Sequence, residues 1–357
     1  MRVLVLGGTG AMGNHLVRLL SERGIETVVT TRSNRKAEEK ITYIQGNALE
    51  IEFLKIILVD KWDAIIDFMV YSTTSFKERV HLLLTSTSQY VFLSSSRVYA
   101  NSELPIKETS PRLLDVSEDS EFLSTDEYSL TKARQEDILK NSGLSNWTII
   151  RPYITYSEDR LQLGVLEKEE WLYRAMKGRT IIFDESVKDK LTTLTYAYDV
   201  ALTIKNIINI KNKSFGNIFQ VACNFDKSLT WMKVLDIYTA TLEKYLGKVP
   251  KVLFLDSTSF KKFRPEISYY QVSKDRQYDR RFNCCEISKI VEIDNFVLPE
   301  DGLKYCLEQF IENPHFKQIG WAAEALKDKY TGELTSLSEI RGIKSKINYV
   351  YYRFLKR

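Results

Sequence analysis

The chain has 357 residues, of which 44% are hydrophobic and 27% charged, so it can bury a large core. Its 51 basic and 47 acidic residues give a net charge of +4. Nucleic-acid binders usually concentrate basic residues on one face, and this balanced composition does not indicate such a face, so no nucleic-acid partner is expected. The four cysteines have neither disulfide nor zinc spacing, and the three histidines lack neighbouring ligands. We therefore expect reduced thiols, no metal and a cytoplasmic location. A strand opens the chain and no apolar run is long enough to span a membrane, so neither a signal peptide nor an anchor is expected.

The first predicted elements are a strand, a glycine-rich turn and a helix. Arg2–Leu6 is an apolar run typical of a strand buried on both faces, and Asn14–Arg23 carries leucines at helical spacing. This order places the positive end of a helix, with its unpaired N–H groups, against a pyrophosphate. The residues predicted to bind a dinucleotide here are Gly7, Thr9, Gly10, Ala11, Met12 and Gly13.

The three glycines of this turn have separate predicted roles. Gly7 allows the tight turn, Gly10 lets the phosphates approach the backbone, and Gly13 lets the helix pack close to the sheet. The alternative is an ordinary strand-to-helix turn.

The end of the second predicted strand, Glu26–Thr31, bears on the choice of cofactor. An acidic residue here would bind the ribose 2′-hydroxyl and favour NAD, whereas this chain has Thr31 and Arg32. A hydroxyl and a guanidinium suit a 2′-phosphate, so the pair predicts NADP and leaves NAD open. The alternative is that Arg32 and Arg35 are solvated loop charges.

Three more strands are predicted before residue 94. The strand Ile41–Ile44 leads to Asn47 and Ala48, which are predicted to contact the cofactor, with Asn47 hydrogen-bonding the adenine. A fourth strand, Trp62–Val70, is joined by a short connection through Phe76–Leu84 to a fifth, Tyr90–Leu93. Three serines follow at its carboxyl end, where ligands bind in parallel sheets.

A later helix carries a tyrosine and a lysine on one face. Ser124 and Glu127 predict a capping box that opens this helix, and Tyr128 and Lys132 are four residues apart. An ammonium beside a phenol stabilises the phenolate, so Tyr128 can donate a proton to a carbonyl.

The second half of the chain is less regular. A sixth strand is predicted at Asn146–Tyr156, and a helix within Thr192–Ile210 and a strand at Asn217–Ala222 return to the first lobe. Lys261–Arg281 is either a source of cations for a diphosphate or a solvated surface. The expected domains are 1–156 with 192–223 (dinucleotide-binding), 157–191 with 224–335 (substrate lobe), and a basic amphipathic helix at 336–357. The predicted class is α/β, a Rossmann-like doubly wound parallel sheet with a smaller, mostly helical C-terminal substrate lobe.

These motifs together resemble the extended short-chain dehydrogenase/reductases, the NAD(P)-dependent epimerase/dehydratase family, many of which act on nucleotide sugars. The resemblance covers residues 1–156, and it rests on the glycine turn, Ser94-Ser95 ahead of Tyr99, Tyr128 with Lys132, and Arg151-Pro152. It implies that Tyr128 is the catalytic acid/base, that Lys132 holds the nicotinamide ribose and tunes Tyr128, and that Ser95 hydrogen-bonds the reacting oxygen.

Two departures from the family pattern alter the expected shape of the site around the nicotinamide ring. The segment between the fourth and fifth strands, Val70 to Tyr90, is short, so one framing helix is expected to be cut down. The small residues usual after the fourth strand are replaced by Met69, Val70 and Tyr71.

The function expected from the resemblance is an NADP(H)-dependent reductase of a nucleotide-activated keto-sugar, a nucleotide 4-keto-6-deoxy-hexose, in surface-polysaccharide sugar supply. The first alternative is a nucleotide-sugar epimerase or dehydratase. A second, from another class, is a non-catalytic member that senses the cofactor or binds nucleic acid. A homodimer is left open.

The C-terminal segment 338–357 has six basic residues and one acid, with Ile340, Ile343, Ile347, Val350 and Phe354 at helical spacing. One interpretation is a peripheral helix on anionic lipid. The preferred interpretation is a helix docked on its own protein through that stripe.

Overall fold

The structure is a computed structural model that describes residues 1–264 and 269–356, with the side chains of all of these except 211 and 212. It divides into two compact units, of which the first comprises Met1–Ser157, Thr193–Ser228 and Arg280–Pro299. The second unit comprises Glu158–Thr192, Leu229–Asp279 and Glu300–Arg357. Residues 280–299 thus belong to the first unit, whereas the sequence prediction placed them in the substrate lobe.

The described residues form thirteen strands. In chain order these are β1 (Arg2–Leu6), β2 (Glu26–Thr31), β3 (Ile41–Gln45), β4 (Ala64–Asp67), β5 (Tyr90–Leu93), β6 (Trp147–Pro152), β7 (Thr155–Tyr156), β8 (Ile181–Asp184), β9 (Leu191–Thr192), β10 (Thr195–Tyr196), β11 (Asn217–Val221), β12 (Leu229–Thr230) and β13 (Val252–Leu255).

The described residues also form fifteen α-helices. In chain order these are α1 (Ala11–Ser21), α2 (Ile51–Ile57), α3 (Thr73–Thr85), α4 (Leu113–Val116), α5 (Ser120–Ser124), α6 (Tyr128–Lys140), α7 (Leu172–Met176), α8 (Ala197–Asn209), α9 (Lys211–Ser214), α10 (Trp231–Leu246), α11 (Ser257–Lys261), α12 (Cys285–Ser288), α13 (Pro299–Glu312), α14 (Trp321–Thr331) and α15 (Ile343–Val350).

The first unit is built on a seven-stranded sheet in the order β11-β6-β5-β4-β1-β2-β3, with every pair parallel. Its central strands are mostly apolar and, apart from Arg2 at the start of β1, buried, because helices cover both faces of such a sheet. One core cluster joins the strands to α2, α3 and α6 through residues such as Leu54, Phe76 and Leu139. The predicted fold class, including the return of the strand Asn217–Val221 beside β6, is confirmed.

The first helix starts three residues earlier than predicted. Gly10 is its N-cap, with extended backbone angles of φ −89° and ψ −178°, and the Asn14 N–H donates to the Gly10 carbonyl at 2.9 Å. Ala11, Met12 and Gly13 therefore form its first turn. The prediction began the helix at Asn14 because the residues before it are small and show no helical periodicity.

The connection between the fourth and fifth strands contains a helix whose start the sequence did not predict. β4 ends at Asp67, and α3 fills the connection with 13 residues. Ser72 caps this helix by accepting a hydrogen bond from the Ser75 N–H at 3.1 Å, and its first turn is polar, so apolar spacing did not reveal it.

The predicted strand Asn146–Tyr156 is interrupted. β6 stops at Pro152, which lacks an N–H for a further ladder bond, and Ile154 has a positive φ of 25° before β7 begins.

The second unit combines helices α7, α10, α11 and α13–α15 with the two small strand pairs β8–β13 and β9–β12. Arg174 is fully buried in this unit, and its guanidinium pairs with Glu324 and Asp328 at 2.8 Å and with Glu333 at 2.9 Å. Among the described residues, none of the helices is both long and apolar enough to cross a bilayer.

Candidate active site

The turn between β1 and α1 has the geometry that an anion-binding loop needs. Gly7 has a φ of 71°, which a side chain rarely tolerates. A Cβ on Gly13 would lie 2.6 Å from the carbonyl carbon and oxygen of Gly8, so only glycine fits this close approach. A Cβ on Gly10 would meet no described atom within 4 Å, which leaves open space in front of the helix N-terminus. This space and the first-turn N–H groups fit the pyrophosphate of a dinucleotide, and binding there remains a prediction.

The end of β2 presents one of the two predicted selectivity groups to solvent. The Thr31 side chain is buried, and its hydroxyl hydrogen-bonds the backbone N–H and carbonyl of Ser33 at 3.2 and 3.3 Å. Arg32 is exposed, and the Arg35 guanidinium lies 5.7 Å from the ring centroid of Tyr43. The predicted hydroxyl is therefore already engaged, and Arg32 is the group that is available to a 2′-phosphate.

The predicted adenine contact follows β3. The Asn47 side chain accepts from the Leu49 N–H at 3.1 Å and donates to Glu50 at 3.2 Å, while Ala48 is buried. Asn47 thus shapes the turn before α2, and an adenine contact stays a prediction that requires its amide to exchange partners.

The three predicted catalytic side chains lie on two elements of the first unit. Ser95 is the second residue after β5 and is buried, and its hydroxyl accepts from the Arg97 N–H at 3.2 Å. Tyr128 is the first residue of α6 and is half-buried, and Lys132 follows one turn later. The Lys132 ammonium lies 6.0 Å from the Tyr128 ring centroid and donates to the Leu93 carbonyl at 2.7 Å. Burial lowers the pKa of Lys132 to about 8, against the opposing effect of Asp67 and Glu136.

The predicted capping box is wrong, and a different cap positions Tyr128. Ser124 ends the preceding helix α5, whereas Glu127 is the N-cap of α6 and accepts from the Ser129 N–H at 2.7 Å. The other Glu127 oxygen accepts from Arg97 at 2.6 Å, and the Arg97 guanidinium lies 5.4 Å from the Tyr128 ring centroid. Because this ion pair is largely buried, it fixes the start of the helix that carries Tyr128.

A buried carboxyl group, that of Asp67, lies near Lys132. Asp67, at the end of β4, accepts from the Tyr90 hydroxyl at 2.7 Å, the Met69 N–H at 2.9 Å and the Tyr71 hydroxyl at 3.3 Å. Burial raises the pKa of Asp67, while these donors and the charge of Lys132 act in the opposite direction. Asp67 therefore places a titratable group next to the proposed catalytic lysine.

A second buried network fixes β6 against α6. Arg151 donates to both Glu136 oxygens, at 2.8 and 2.6 Å, and to the Tyr99 hydroxyl at 2.8 Å. Ser94 donates to Glu136 at 2.6 Å, so the first serine of the run is structural and only the next one, Ser95, is available for a reacting oxygen. The Arg151 guanidinium and the Ser94 hydroxyl lower the pKa of Glu136, although burial alone would raise it.

The arginines between Lys261 and Arg281 do not supply a free cationic patch. Arg276 and Arg280 are buried, with Arg276 donating to the Gly164 carbonyl at 2.9 Å and Arg280 to the Tyr99 and Ala100 carbonyls at 3.0 and 3.1 Å. Arg264 pairs with Glu170 at 3.2 Å. Residues 265–268 of this predicted region lie outside the described residues. In the described part of the chain, no three metal-ligating side chains come together.

Sequence reasoning missed Asp67 and Arg97, and it gave Glu127 a capping role without its partner Arg97. Asp67 had a local signal, since an acid ending the apolar run Ile65-Ile66 is unusual for a buried strand. The pairing of Arg97 with Glu127 joins residues 30 positions apart and has no signature in a single sequence.

Comparison with known proteins finds similarity to parts of the chain. Residues 7–181 match the family model described as NAD(P)H-binding. The chain is 24% identical over 238 residues to the chloroplast stem-loop binding protein of 41 kDa b of Arabidopsis thaliana, covering 62% of this chain and 58% of that protein. It is 32% identical over 137 residues to a UDP-glucose 4-epimerase of Streptococcus mutans, covering 31% of this chain and 41% of that protein. The chain therefore spans about half the length of these curated relatives.

Solved structures share the fold at low identity. The UDP-glucuronic acid 4-epimerase of Bacillus cereus, in complex with UDP-glucuronic acid and NAD, superposes with a TM-score of 0.64 at 16% identity, over 87% of this chain and 99% of that one. The match to the NAD(P)H-binding model is consistent with the seven-stranded parallel sheet of the first unit and with the fold shared with this epimerase. The chain therefore shares the fold of this epimerase, and its residues 7–181 match the NAD(P)H-binding family model.

Proposed function

We propose that this chain is an NAD(P)-dependent enzyme that moves a hydride to or from a ring carbon of a nucleotide sugar. The observation that carries the proposal is the arrangement of Ser95, Tyr128 and Lys132 at one end of a dinucleotide-binding sheet, with the ammonium 6.0 Å from the phenol ring centroid. The relatives named as UDP-glucose 4-epimerases support a nucleotide-sugar substrate.

The chain's own residues would supply binding and proton transfer. When bound, the nicotinamide cofactor supplies or accepts the hydride. Ser95 would hydrogen-bond the reacting oxygen, and Tyr128 would give that oxygen a proton in reduction or remove one in oxidation. Lys132 would stabilise the phenolate and bind the ribose hydroxyls.

The proposed cofactor is NADP, because Arg32 is exposed at the end of β2 where a carboxylate would select NAD. NAD-containing neighbours such as the Bacillus cereus epimerase favour NAD instead. Arg32→Ala is expected to weaken NADPH binding about tenfold and to leave NADH binding unchanged, since only the 2′-phosphate would lose a partner. Arg35→Ala is the matched control, and calorimetric titration is the measurement. Equal affinity of the native protein for NADPH and NADH would reject the NADP assignment.

Within this activity, the first candidate is a net reductase of a nucleotide 4-keto-6-deoxy-hexose. A reductase must exchange its spent cofactor on each turnover, and an exposed 2′-phosphate partner such as Arg32 would couple it to the NADPH pool. The second candidate, an epimerase or dehydratase that returns the hydride to the sugar, is supported at least as well by the relatives' names.

The two candidates differ in whether the cofactor is consumed. The purified protein is incubated with NADPH and a nucleotide 4-keto-6-deoxy-hexose, and in parallel with NAD and UDP-glucose, and products are identified by mass spectrometry and NMR. Stoichiometric loss of NADPH absorbance with formation of an alcohol supports the reductase. An isomer or a dehydrated sugar without net cofactor change supports the second candidate.

A function from another class is suggested by the Arabidopsis relative, whose name describes stem-loop binding. The balanced charge of the chain gives this candidate little electrostatic support. Salt-dependent binding of an RNA stem-loop, together with inactivity on every nucleotide sugar tested, would favour it over the enzyme.

A further inference from the structure

The C-terminal segment exposes an apolar surface that the proposed chemistry does not use. We call it the C-terminal stripe. It consists of Ile343, Ile347, Tyr351, Phe354 and Leu355, whose exposed fractions are 78%, 64%, 49%, 59% and 67%. Of the 22 large hydrophobic side chains exposed among the described residues, eight lie within Tyr330–Leu355. The expectation that this pattern docks on the protein itself is therefore wrong for most of its members.

The stripe is held outward by a well-packed opposite face. Tyr349 is buried against Ala325 of α14 and Ile340, and its hydroxyl donates to Asp328 at 2.7 Å. The turn after α15, Tyr351–Leu355, is tied to the unit because the Arg353 guanidinium donates to the Glu333 carbonyl at 3.2 Å. Since the helix is anchored through these contacts, the exposed side chains are a fixed surface and not a frayed end.

The charged residues of the segment 338–357, which carries the stripe, are almost all positive. Lys344, next to Ile343, and Lys346, next to Ile347, are on α15, and Arg341, Arg353 and Lys356 flank it in sequence. The one acid of the segment, Glu339, is paired with Arg179 at 3.2 Å. Arg357, the sixth base, lies outside the described residues. Long basic side chains beside an apolar stripe are the pattern of a helix that lies in an anionic lipid interface.

The positive charge also indicates which of two partners, a second copy of the chain or a lipid bilayer, covers this apolar face. A second copy of the chain would bring the same lysines and arginines toward each other, which opposes association. An anionic bilayer would neutralise them while its acyl boundary buries the apolar side chains. We propose that the C-terminal stripe is a docking surface for an anionic phospholipid membrane, to which the protein binds peripherally.

The test measures co-sedimentation of the full-length protein with vesicles of phosphatidylcholine alone and of phosphatidylcholine mixed with phosphatidylglycerol. Binding is expected only to the anionic vesicles, and it should weaken when the salt is raised from about 0.1 M to about 1 M, where screening is much stronger. Lys344→Gln and Lys346→Gln should each weaken binding about fivefold. Ile343→Ser and Ile347→Ser should each weaken it about tenfold, because each removes a buried apolar side chain.

Matched controls come from the first unit. Val59→Ser changes an 80% exposed valine, and Lys289→Gln an exposed lysine, and neither should alter vesicle binding. Because the substituted stripe side chains are exposed, all variants should melt at the temperature of the native protein. The proposal is overturned if the native protein does not bind anionic vesicles at low salt, or if the stripe variants bind as well as the controls. It is also overturned if sedimentation shows that Ile347→Ser converts a dimer to a monomer while vesicle binding is absent.

Discussion

Tyr128 is the side chain on which the proposed proton transfer depends, and the structure places it between two cations. The Lys132 ammonium is 6.0 Å and the Arg97 guanidinium 5.4 Å from its ring centroid. Positive charge at this range stabilises a phenolate, which is the form that the side chain takes after it gives up its proton. The carboxylate of Glu127 neutralises the charge of Arg97. Lys132 is therefore the cation whose charge state affects the stability of the Tyr128 phenolate.

Removing the Tyr128 hydroxyl tests its role directly. Tyr128→Phe is expected to lower kcat by about two to four orders of magnitude, because the proton donor is lost, and to leave the dissociation constant of the reduced cofactor nearly unchanged. Tyr245→Phe, at an exposed tyrosine of the second unit, is the control. Turnover by Tyr128→Phe at the native rate would assign the proton transfer to another group.

The ionisation of Lys132 predicts the pH dependence. Burial lowers its pKa to about 8, so the ammonium is present below that pH and is lost above it. Activity should therefore fall as pH rises through about 8. Asp67 acts to raise the pKa of Lys132, so Asp67→Asn should move this alkaline limb to lower pH by about one unit.

The control for this prediction is Asp60→Asn, which removes an exposed carboxylate before β4. The measurement is the pH profile of kcat for the three proteins. Tyr128, Glu136 and Asp67 are the titratable groups near Lys132, and Asp67→Asn alters one of them without touching the Arg151–Glu136 pair. An alkaline limb that stays in place in Asp67→Asn would show that Asp67 does not act on Lys132.

Substitutions in the β1–α1 turn can distinguish an effect on cofactor binding from an effect on folding stability. A Cβ at Gly10 meets no described atom within 4 Å, and its φ of −89° suits alanine, so Gly10→Ala should keep the native melting temperature. The same methyl group would occupy the space in front of the helix N-terminus, so cofactor affinity should fall at least tenfold. Gly13→Ala should instead lower the melting temperature by several degrees, because its Cβ would lie 2.6 Å from the Gly8 backbone.

Thermal melting and cofactor titration of the two alanine variants check this separation. Normal cofactor affinity in Gly10→Ala would show that the phosphates do not approach this turn. An unchanged melting temperature in Gly13→Ala would show that helix and turn can separate at little cost.

Elements with a strong local pattern could be predicted from the sequence, and polar or short ones could not. β1 and β5 have the predicted bounds because each is a mostly apolar run ended by a clear break, and β2 has them because every residue after Glu26 in it is β-branched. The start of α3 is polar and was missed, and the cap of α6 was misassigned because Ser124 and Glu127 have capping-box spacing but Ser124 already belongs to α5. Local pattern thus located the candidate site, whereas its supporting contacts required the fold.

At the scale of the molecule, the sequence predicted a doubly wound α/β fold with a helical second part, and the structure confirms it. Long-range pairings were not predictable, because one sequence does not show which distant residues meet. Asp67 with Tyr90 and Arg151 with Glu136 are of this kind. The direction in which the C-terminal stripe faces was also unpredictable, since an amphipathic pattern does not say which face another element covers.

Transfer of a labelled hydride to a nucleotide sugar would show the proposed chemistry itself. The native protein is incubated with a nucleotide 4-keto-6-deoxy-hexose and NADPH that carries deuterium at the transferable position, and the sugar is analysed by NMR. We expect one deuterium on the ring carbon that bore the carbonyl, and none with Tyr128→Phe on the same timescale. A protein that binds the reduced cofactor but leaves every nucleotide sugar tested unlabelled and unconverted would contradict it.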